Sequence, residues 1–333
     1  MNAADTRPFL DTVSLQDIDR DDELFSTNFE PDLDRLKTSV EQIGMVAPIW
    51  LRAKGRGFQI INGFRRFDVA RLLGETHLQA LVWEEAILDD RSAFEMGLHE
   101  NGLTRPLNIP EKALALDKLL GTFSVPRDEA VRVYLPLMGL EPHESVLNTV
   151  LVINTFSPDV KRYAVSRRVS LANMGLLAMF SPREREALCE FLSSLRVGEN
   201  VLKEILTFTR EICRRDRIEI DGLISDRRIS NAVSDSRLSG PQKIQTLRSL
   251  LRAKRYPRLS GLEERFMQWR KGITVSPRVT ISPPPFFEGD RFKVAFSFRN
   301  REDYQTIVED LRSLSQGPIP ELLTIKGYGN DGH

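Results

Sequence analysis

Arg65 and Arg66 stand side by side just after Asn62-Gly63, between an apolar run of β character (Phe58, Ile60, Ile61) and a helical pattern (Phe67, Val69, Ala70, Leu72, Leu73) that Gly74 ends. An Asn-Gly pair accepts the positive φ of a tight turn. A strand, a glycine turn and a helix whose first turn carries cations make an anion site. Unpaired N–H groups and the positive end of the helix dipole point where guanidinium groups also reach. The chemistry this pattern suits is the holding of phosphate. Paired arginines also occur as solvated charges at a helix start, so the surroundings of the turn decide between the two readings.

The elements around the turn form an ordered set. After a frayed first dozen residues, a short strand is expected over 13–15 and an acidic loop over 17–23. A helix over 32–43 carries Leu33, Leu36, Val40 and Ile43 on one side and stops at Gly44. A strand over 48–51 and a Lys-Gly-Arg-Gly turn over 54–57 lead into the arginine turn. A strand over 79–83 and a helix over 89–98 follow, and a helical pattern resumes at Pro110.

Four short stretches in this order carry a resemblance. They are Gly44-Met45-Val46-Ala47-Pro48-Ile49, Gly63-Phe64-Arg65-Arg66-Phe67-Asp68-Val69-Ala70, Glu100-Asn101 with Arg105, and Leu107-Asn108-Ile109-Pro110-Glu111-Lys112-Ala113. The chain resembles the ParB/sulfiredoxin superfamily, and within it the N-terminal domain of ParB partition proteins, whose wording is G-L-x-Q-P-I, G-E-R-R-x-x-A, E-N-x-x-R and L-N-P-x-E-x-A. The resemblance implies a site for CTP, or another nucleoside triphosphate, with Mg²⁺. Gly63, Arg65, Arg66 and Arg105 would contact the nucleotide, and Glu100 and Asn101 would sit at the metal–triphosphate. Backbone donors, fixed cations and a hard oxygen ligand are what such a ligand needs. Glu100-Asn101 taken alone also reads as a helix end with a solvated acid.

Several departures bear on activity. Phe64 stands where the family wording has Glu, Arg105 lies one residue further along than usual, and the P-x-Q-P-R element is missing from 24–29. Catalytic residues therefore stay unassigned, and at most a weak CTPase-like activity is implied. A small-molecule kinase or nuclease of the superfamily, or an adaptor that has lost turnover, are the alternatives. Sulfiredoxin chemistry is rejected, because the turn has no cysteine.

Residues 111–239 read as an all-helical domain, with a degenerate helix-turn-helix over 127–156. Its recognition helix would offer Ser145, Asn148 and Thr149 to DNA, although a bundle helix packing Val146, Leu147, Val150 and Leu151 fits the same residues. Lys161, Arg162, Arg167 and Arg168 form a basic cluster that would grip the DNA backbone or lie in a solvated loop. Lys+Arg and Asp+Glu are equal at 47, so only their distribution informs. Residues 1–34 hold ten acids and two bases, whereas 243–271 hold nine bases and two acids. Within that basic stretch Lys243, Arg248, Arg252, Lys254 and Arg255 suggest a phosphate-tracking face. The competing reading is an amphipathic helix pair docked on acidic surface.

Residues 240–285 comprise this basic segment and a Pro-rich connector over 275–285. Residues 286–333 then carry an alternating strand over 291–298 with one buried face, a helix over 303–314 and a second strand over 322–325. So small a unit needs a partner surface, and a homodimer through this module is the simplest solution. With 1–110 as the α/β nucleotide domain, the whole is expected to be α+β. Cys189 and Cys213 offer no disulfide or zinc spacing, nor do the four histidines. Residues 1–9 lack the apolar core of a signal peptide and no run reaches membrane length, so a cytoplasmic, nucleoid-associated protein is expected. DNA is the expected partner, and a partition ATPase is a further one that the resemblance implies.

Overall fold

The structure, a computed structural model, describes residues 7–325. Backbone contacts divide the chain into residues 1–189 and 190–333. The first unit is built on a five-stranded sheet in the order β1-β5-β3-β4-β2. Its strands are β1 (Phe9–Ser14), β2 (Ile18–Asp19), β3 (Ile49–Lys54), β4 (Gly57–Asn62) and β5 (His77–Trp83). β3 and β4 form a hairpin, β5 runs parallel to β3, and β1 closes the sheet antiparallel to β5. The two central strands are buried on both faces through Ile49, Leu51, Ile60 and Ile61, hence their nearly continuous apolar runs.

The first correction concerns β1. The strand starts at Phe9, within the stretch expected to be frayed, because the register Phe9↔Val82 to Ser14↔His77 supplies backbone partners that local sequence does not announce. Residues 1–6 of that frayed stretch lie outside the described residues.

Helix α1 (Asp34–Ile43) precedes β3, and α2 (Phe64–Leu72) follows β4 directly. α3 (Asp90–Thr104) begins at Asp89, whose carboxylate accepts the Ser92 N–H. α4 (Ile109–Gly121) opens with a capping box: Asn108 Oδ1 accepts the Glu111 N–H at 2.9 Å and Glu111 Oε2 accepts the Asn108 N–H at 3.0 Å. The run over 127–137 comprises α5 (Arg127–Glu129), one π turn (Ala130–Tyr134) and α6 (Leu135–Leu137). Gly139 at φ +70° turns the chain toward α7 (Glu144–Val152), which buries Leu147 and Val150 against α4. α8 (Pro158–Arg167) and α9 (Leu171–Leu177) follow, and α10 (Pro182–Ser193) carries the boundary between the units.

The second unit contains α11 (Glu199–Asp216), α12 (Ile220–Ile224), α13 (Arg227–Ser234), α14 (Gly240–Arg255) and α15 (Pro257–Gly272). A two-stranded sheet of β6 (Val279–Ser282) and β7 (Lys293–Phe296) and the helices α16 (Arg301–Gln316) and α17 (Pro318–Leu322) complete it. Phe266 and Trp269 of α15 share one core with Val279, Ile281, Phe287, Ile307 and Leu314. Three expectations change here. The connector expected over 275–285 supplies β6, because Val279 and Ile281 find cross-strand partners in Phe296 and Val294. The strand expected over 322–325 is instead the end of α17 and a turn. The expected buried face of the strand over 291–298 is largely open: Phe292 packs against Phe266, but Val294, Phe296 and Phe298 are 42%, 41% and 55% exposed, with Tyr304 of α16 beside the two phenylalanines.

Candidate functional site

Gly63 sits where β4 ends and α2 begins, at φ +102°. A Cβ there would lie 2.8 Å from Ile49 Cγ2, 3.0 Å from Ile49 Cβ and 3.3 Å from Arg66 Nε, so glycine is required by backbone and packing together. No side chain caps α2 at this end, and the N–H groups of its first turn remain available to a ligand.

Beside this turn lies a cavity of about 330 Å³. Gly63, Arg65, Arg66, Glu100, Asn101 and Arg105 all line it, so the sequence-derived nucleotide residues converge on one place. Its remaining wall comes from Phe25, Thr27 and Asn28 of the loop after β2, from Leu36 and Ala47, and from Ile61, Asn62, Phe64 and Thr104.

The guanidinium groups are held in different ways. Arg65 donates from Nε to Asn28 Oδ1 at 3.1 Å and from Nη2 to Glu111 Oε1 at 2.8 Å. Arg105 donates from Nη1 to Glu111 Oε2 at 2.7 Å and from Nη2 to Glu111 Oε1 at 3.2 Å. Arg66 instead reaches the backbone, donating from Nη1 to the carbonyls of Pro48 at 2.6 Å and Ala47 at 3.2 Å. Burial, and then the positive charge of Arg105, pull Arg65 below its ordinary pKa, with Glu111 opposing. Burial also pulls Arg66 down, with Glu100 opposing. Cations crowded in a low-dielectric wall favour an incoming anion.

Glu100 accepts from Asn62 Nδ2 through Oε2 at 2.6 Å, which leaves Oε1 for a cation at the cavity. One carboxylate and the Asn101 amide fit a Mg²⁺ ion that takes most of its oxygens from phosphate and water. Phe64 is only 4% exposed, and the Arg20 guanidinium lies 5.5 Å from its ring centroid. Arg20 is held by Asp68 at 2.7 and 2.9 Å, so this side of the turn is an aromatic–cation wall.

Two residues beyond the sequence-derived set belong to the site. Glu111 bridges Arg65 and Arg105, and its signal was the Asn108-x-x-Glu111 capping pattern before a helical run. Lys118 donates to the carbonyls of Glu23, Leu24 (3.2 Å) and Ser26 (2.7 Å), which ties the loop wall to α4. No sequence pattern pointed to it.

The residues assigned to DNA lie on α7 and α8 of the first unit and on α14 of the second. On α7, Ser145 and Asn148 face solvent, Thr149 donates to the Ser145 carbonyl at 2.8 Å, and Asn148 Oδ1 accepts from Arg127 Nη2 at 2.6 Å. On α8, Lys161 donates to the Asn154 carbonyl at 3.0 Å, and Arg162 pairs with Glu30 at 2.6 Å and with Asp159. Arg167 ends α8, and Arg168 at φ +52° caps it.

In the second unit the basic stretch is largely paired. Arg248 bonds Glu204 at 3.0 and 2.6 Å, and Arg252 grips both oxygens of Glu263 at 2.7 and 2.9 Å. Lys254 meets Asp226 at 2.9 Å and Arg255 pairs with Glu211, while Lys243 lies on the first half of α14. Acids on α11, α15 and the turn before α13 thus offset cations that look unopposed along the sequence.

Residues 7–102 match the ParB N-terminal domain. The chain is similar to the probable chromosome-partitioning protein ParB of Vibrio cholerae, 25% identical over 180 residues that cover 53% of this chain and 58% of that one. Likewise it is 30% identical to the probable chromosome-partitioning protein ParB of Coxiella burnetii over 156 residues, 46% of this chain and 51% of the relative. The chain thus spans about half the length of the curated relatives it matches. Among solved structures, the C-terminally truncated ParB of Caulobacter crescentus complexed with CTP-γ-S is similar at 23% identity. The match covers 55% of this chain and 97% of that one, with a TM-score of 0.26.

Proposed function

Starting from residues 7–102 as a ParB N-terminal domain, we propose that the protein is a nucleotide-responsive, DNA-binding protein of the partition type. The observation that carries this is the convergence of Gly63, Arg65, Arg66, Glu100, Asn101 and Arg105 on one cavity at an uncapped helix N-terminus. The α2 N–H groups and Arg66 receive the terminal phosphates, while Arg65 and Arg105 fix the remaining charge from the α4 side. Glu100 Oε1 and Asn101 are the groups that would hold Mg²⁺, which neutralises phosphate charge when bound. CTP is the nucleotide we assign, in keeping with the sequence resemblance at these motifs.

Turnover is slow or absent in this reading. Phe64 closes one side of the turn with an apolar ring, and Asn62 already engages the Glu100 carboxylate. The chain therefore works as a binder whose occupied state differs from its empty one. DNA meets the exposed side of α7, where Ser145 and Asn148 face solvent and Arg127 is shared between Asn148 and Glu144. A second copy covers the open face of β7, where Val294, Phe296 and Phe298 are exposed.

Calorimetry of the full chain with CTP, ATP, GTP and UTP, each with Mg²⁺, tests the nucleotide assignment, with DNA retention measured in parallel. Binding of CTP that is lost on charge reversal at Arg65 and Arg66, together with altered DNA retention, is the expected result. Absence of heat with every triphosphate would refute the site. Heat without any change in DNA retention would leave a nucleotide binder and refute the coupling.

A further inference from the structure

The carboxylate of Glu111 is 0% exposed, yet every acceptor it has is used. Oε1 accepts from Arg65 Nη2 and Arg105 Nη2, and Oε2 accepts from Arg105 Nη1 and the Asn108 N–H. Arg65 comes from the first turn of α2, whereas Arg105 follows the end of α3, so one buried anion on α4 ties two separate elements together at the cavity. The trio carries two positive charges against one negative. That excess sits where burial already opposes it.

We infer that Glu111 is the positioning residue of the phosphate site, holding Arg65 and Arg105 as a rigid fork for the polyphosphate of a nucleotide; this rests on the nucleotide reading above. Glu111 does not touch the ligand, and it cannot swing aside to make room for one. Its own backbone N–H is capped by Asn108, and its carboxylate closes the same box. The groups left to meet phosphate are Arg65 Nη1 and Arg105 Nε, which make no hydrogen bond among the described residues. A fork held in advance loses less rotamer freedom on binding, and charge-assisted contacts gain most from fixed geometry. A carboxylate that merely competed with phosphate would have the opposite effect on affinity. That opposition gives the test its sign.

The measurement is the affinity of the full chain for CTP–Mg²⁺ and for inorganic tripolyphosphate, with melting points recorded alongside. Glu111→Gln should weaken both ligands by about tenfold or more, because the loss falls on the phosphate fork and not on base recognition. In an Arg105→Met background the same substitution should cost less than it does in the parent, since one of the two arginines through which Glu111 acts is gone. Asn108→Ala removes the other half of the cap and leaves the fork in place. It should lower the melting point while holding affinity within about twofold of the parent. If Glu111→Gln does not fold, Arg65→Lys takes its place, keeping the charge and losing the fork, and about tenfold weaker tripolyphosphate binding is again expected.

Tighter or unchanged binding by Glu111→Gln, or equal losses in both backgrounds, would overturn the positioning role while the nucleotide site stood. Unchanged binding by Arg65→Lys would overturn it in the same way. No binding by the parent chain would instead remove the nucleotide site and this role with it.

Discussion

Replacing Gly63 with Ala perturbs the site without adding or removing charge, and its cost can be worked from the structure. The residue sits at φ +102°, where an L side chain is strained by about 1–2 kcal/mol. The new Cβ would lie 2.8 Å from Ile49 Cγ2 and 3.0 Å from Ile49 Cβ. Ile49 is 0% exposed, on a central strand, and branching at its Cβ restricts how far its side chain can turn away. Overpacking such a position adds about 1–3 kcal/mol. The sum is roughly 2–5 kcal/mol.

For a unit of this size each kcal/mol shifts Tm by about 2–4 °C, so a fall of roughly 4–20 °C is expected. Trp50 and Trp83 pack together at 5.6 Å in the first unit, so fluorescence in a Trp269→Phe background follows that unit alone. Gly55→Ala is the control, since Gly55 has φ +59° but nothing within 4 Å of a built Cβ. If Gly63→Ala costs no more than Gly55→Ala, the contact with Ile49 is not what demands glycine, and the packing argument fails.

Three further outcomes are expected. Burial, and then the hydrogen bond to Glu95, push Tyr134 from its ordinary 10 up to about 12, so its contribution to stability is complete below pH 10 and lost as pH rises toward 12. Tyr134→Phe should flatten that alkaline decline in an unfolding series, and an unchanged pH profile would remove Tyr134 as its source. Arg248→Ala and Arg252→Ala should each change DNA affinity by less than about twofold, because Glu204 and Glu263 already neutralise them; a larger loss with a shallower salt dependence would show that the pairs open to DNA. Arg185 is 5% exposed and stacks on Phe156 at 4.1 Å, with its buried Nη1 unpartnered, so Arg185→Met should hold Tm within a few degrees or raise it. A clear fall in Tm for Arg185→Met would mean the charge is satisfied by bound water.

That the residues proposed for the nucleotide line one cavity was partly readable, because some of their chemistry is local. Asn62-Gly63-Arg65-Arg66 announces a turn, a helix start and two cations within a few residues, and the structure places them together. Glu100, Asn101 and Arg105 were found through a resemblance in wording, which carries long-range information that periodicity lacks. Glu111 was read only as part of the Leu107–Ala113 wording, because neighbouring residues reveal no more than its place at a helix start. Its two arginines lie 46 and 6 positions away in the chain. Lys118 was silent for the same reason, since its acceptors are backbone carbonyls over 90 residues distant. In the basic stretch Arg248 and Arg255 meet acids 44 residues away, pairing of the kind the competing reading expected and local charge alone does not reveal. β1, β6 and the open face of β7 likewise depended on which strand lay alongside, a fact of tertiary pairing and not of composition.

Lys118 and Glu111 sit two turns apart on one rigid rod, and each grips a different border of the cavity. One end clasps the wall formed by residues 23–26, and the other sets the aim of the arginines. The same rod rests on α7 and α8. A displacement of those outer helices would therefore reach the loop wall and the arginine pair together, through one shared support.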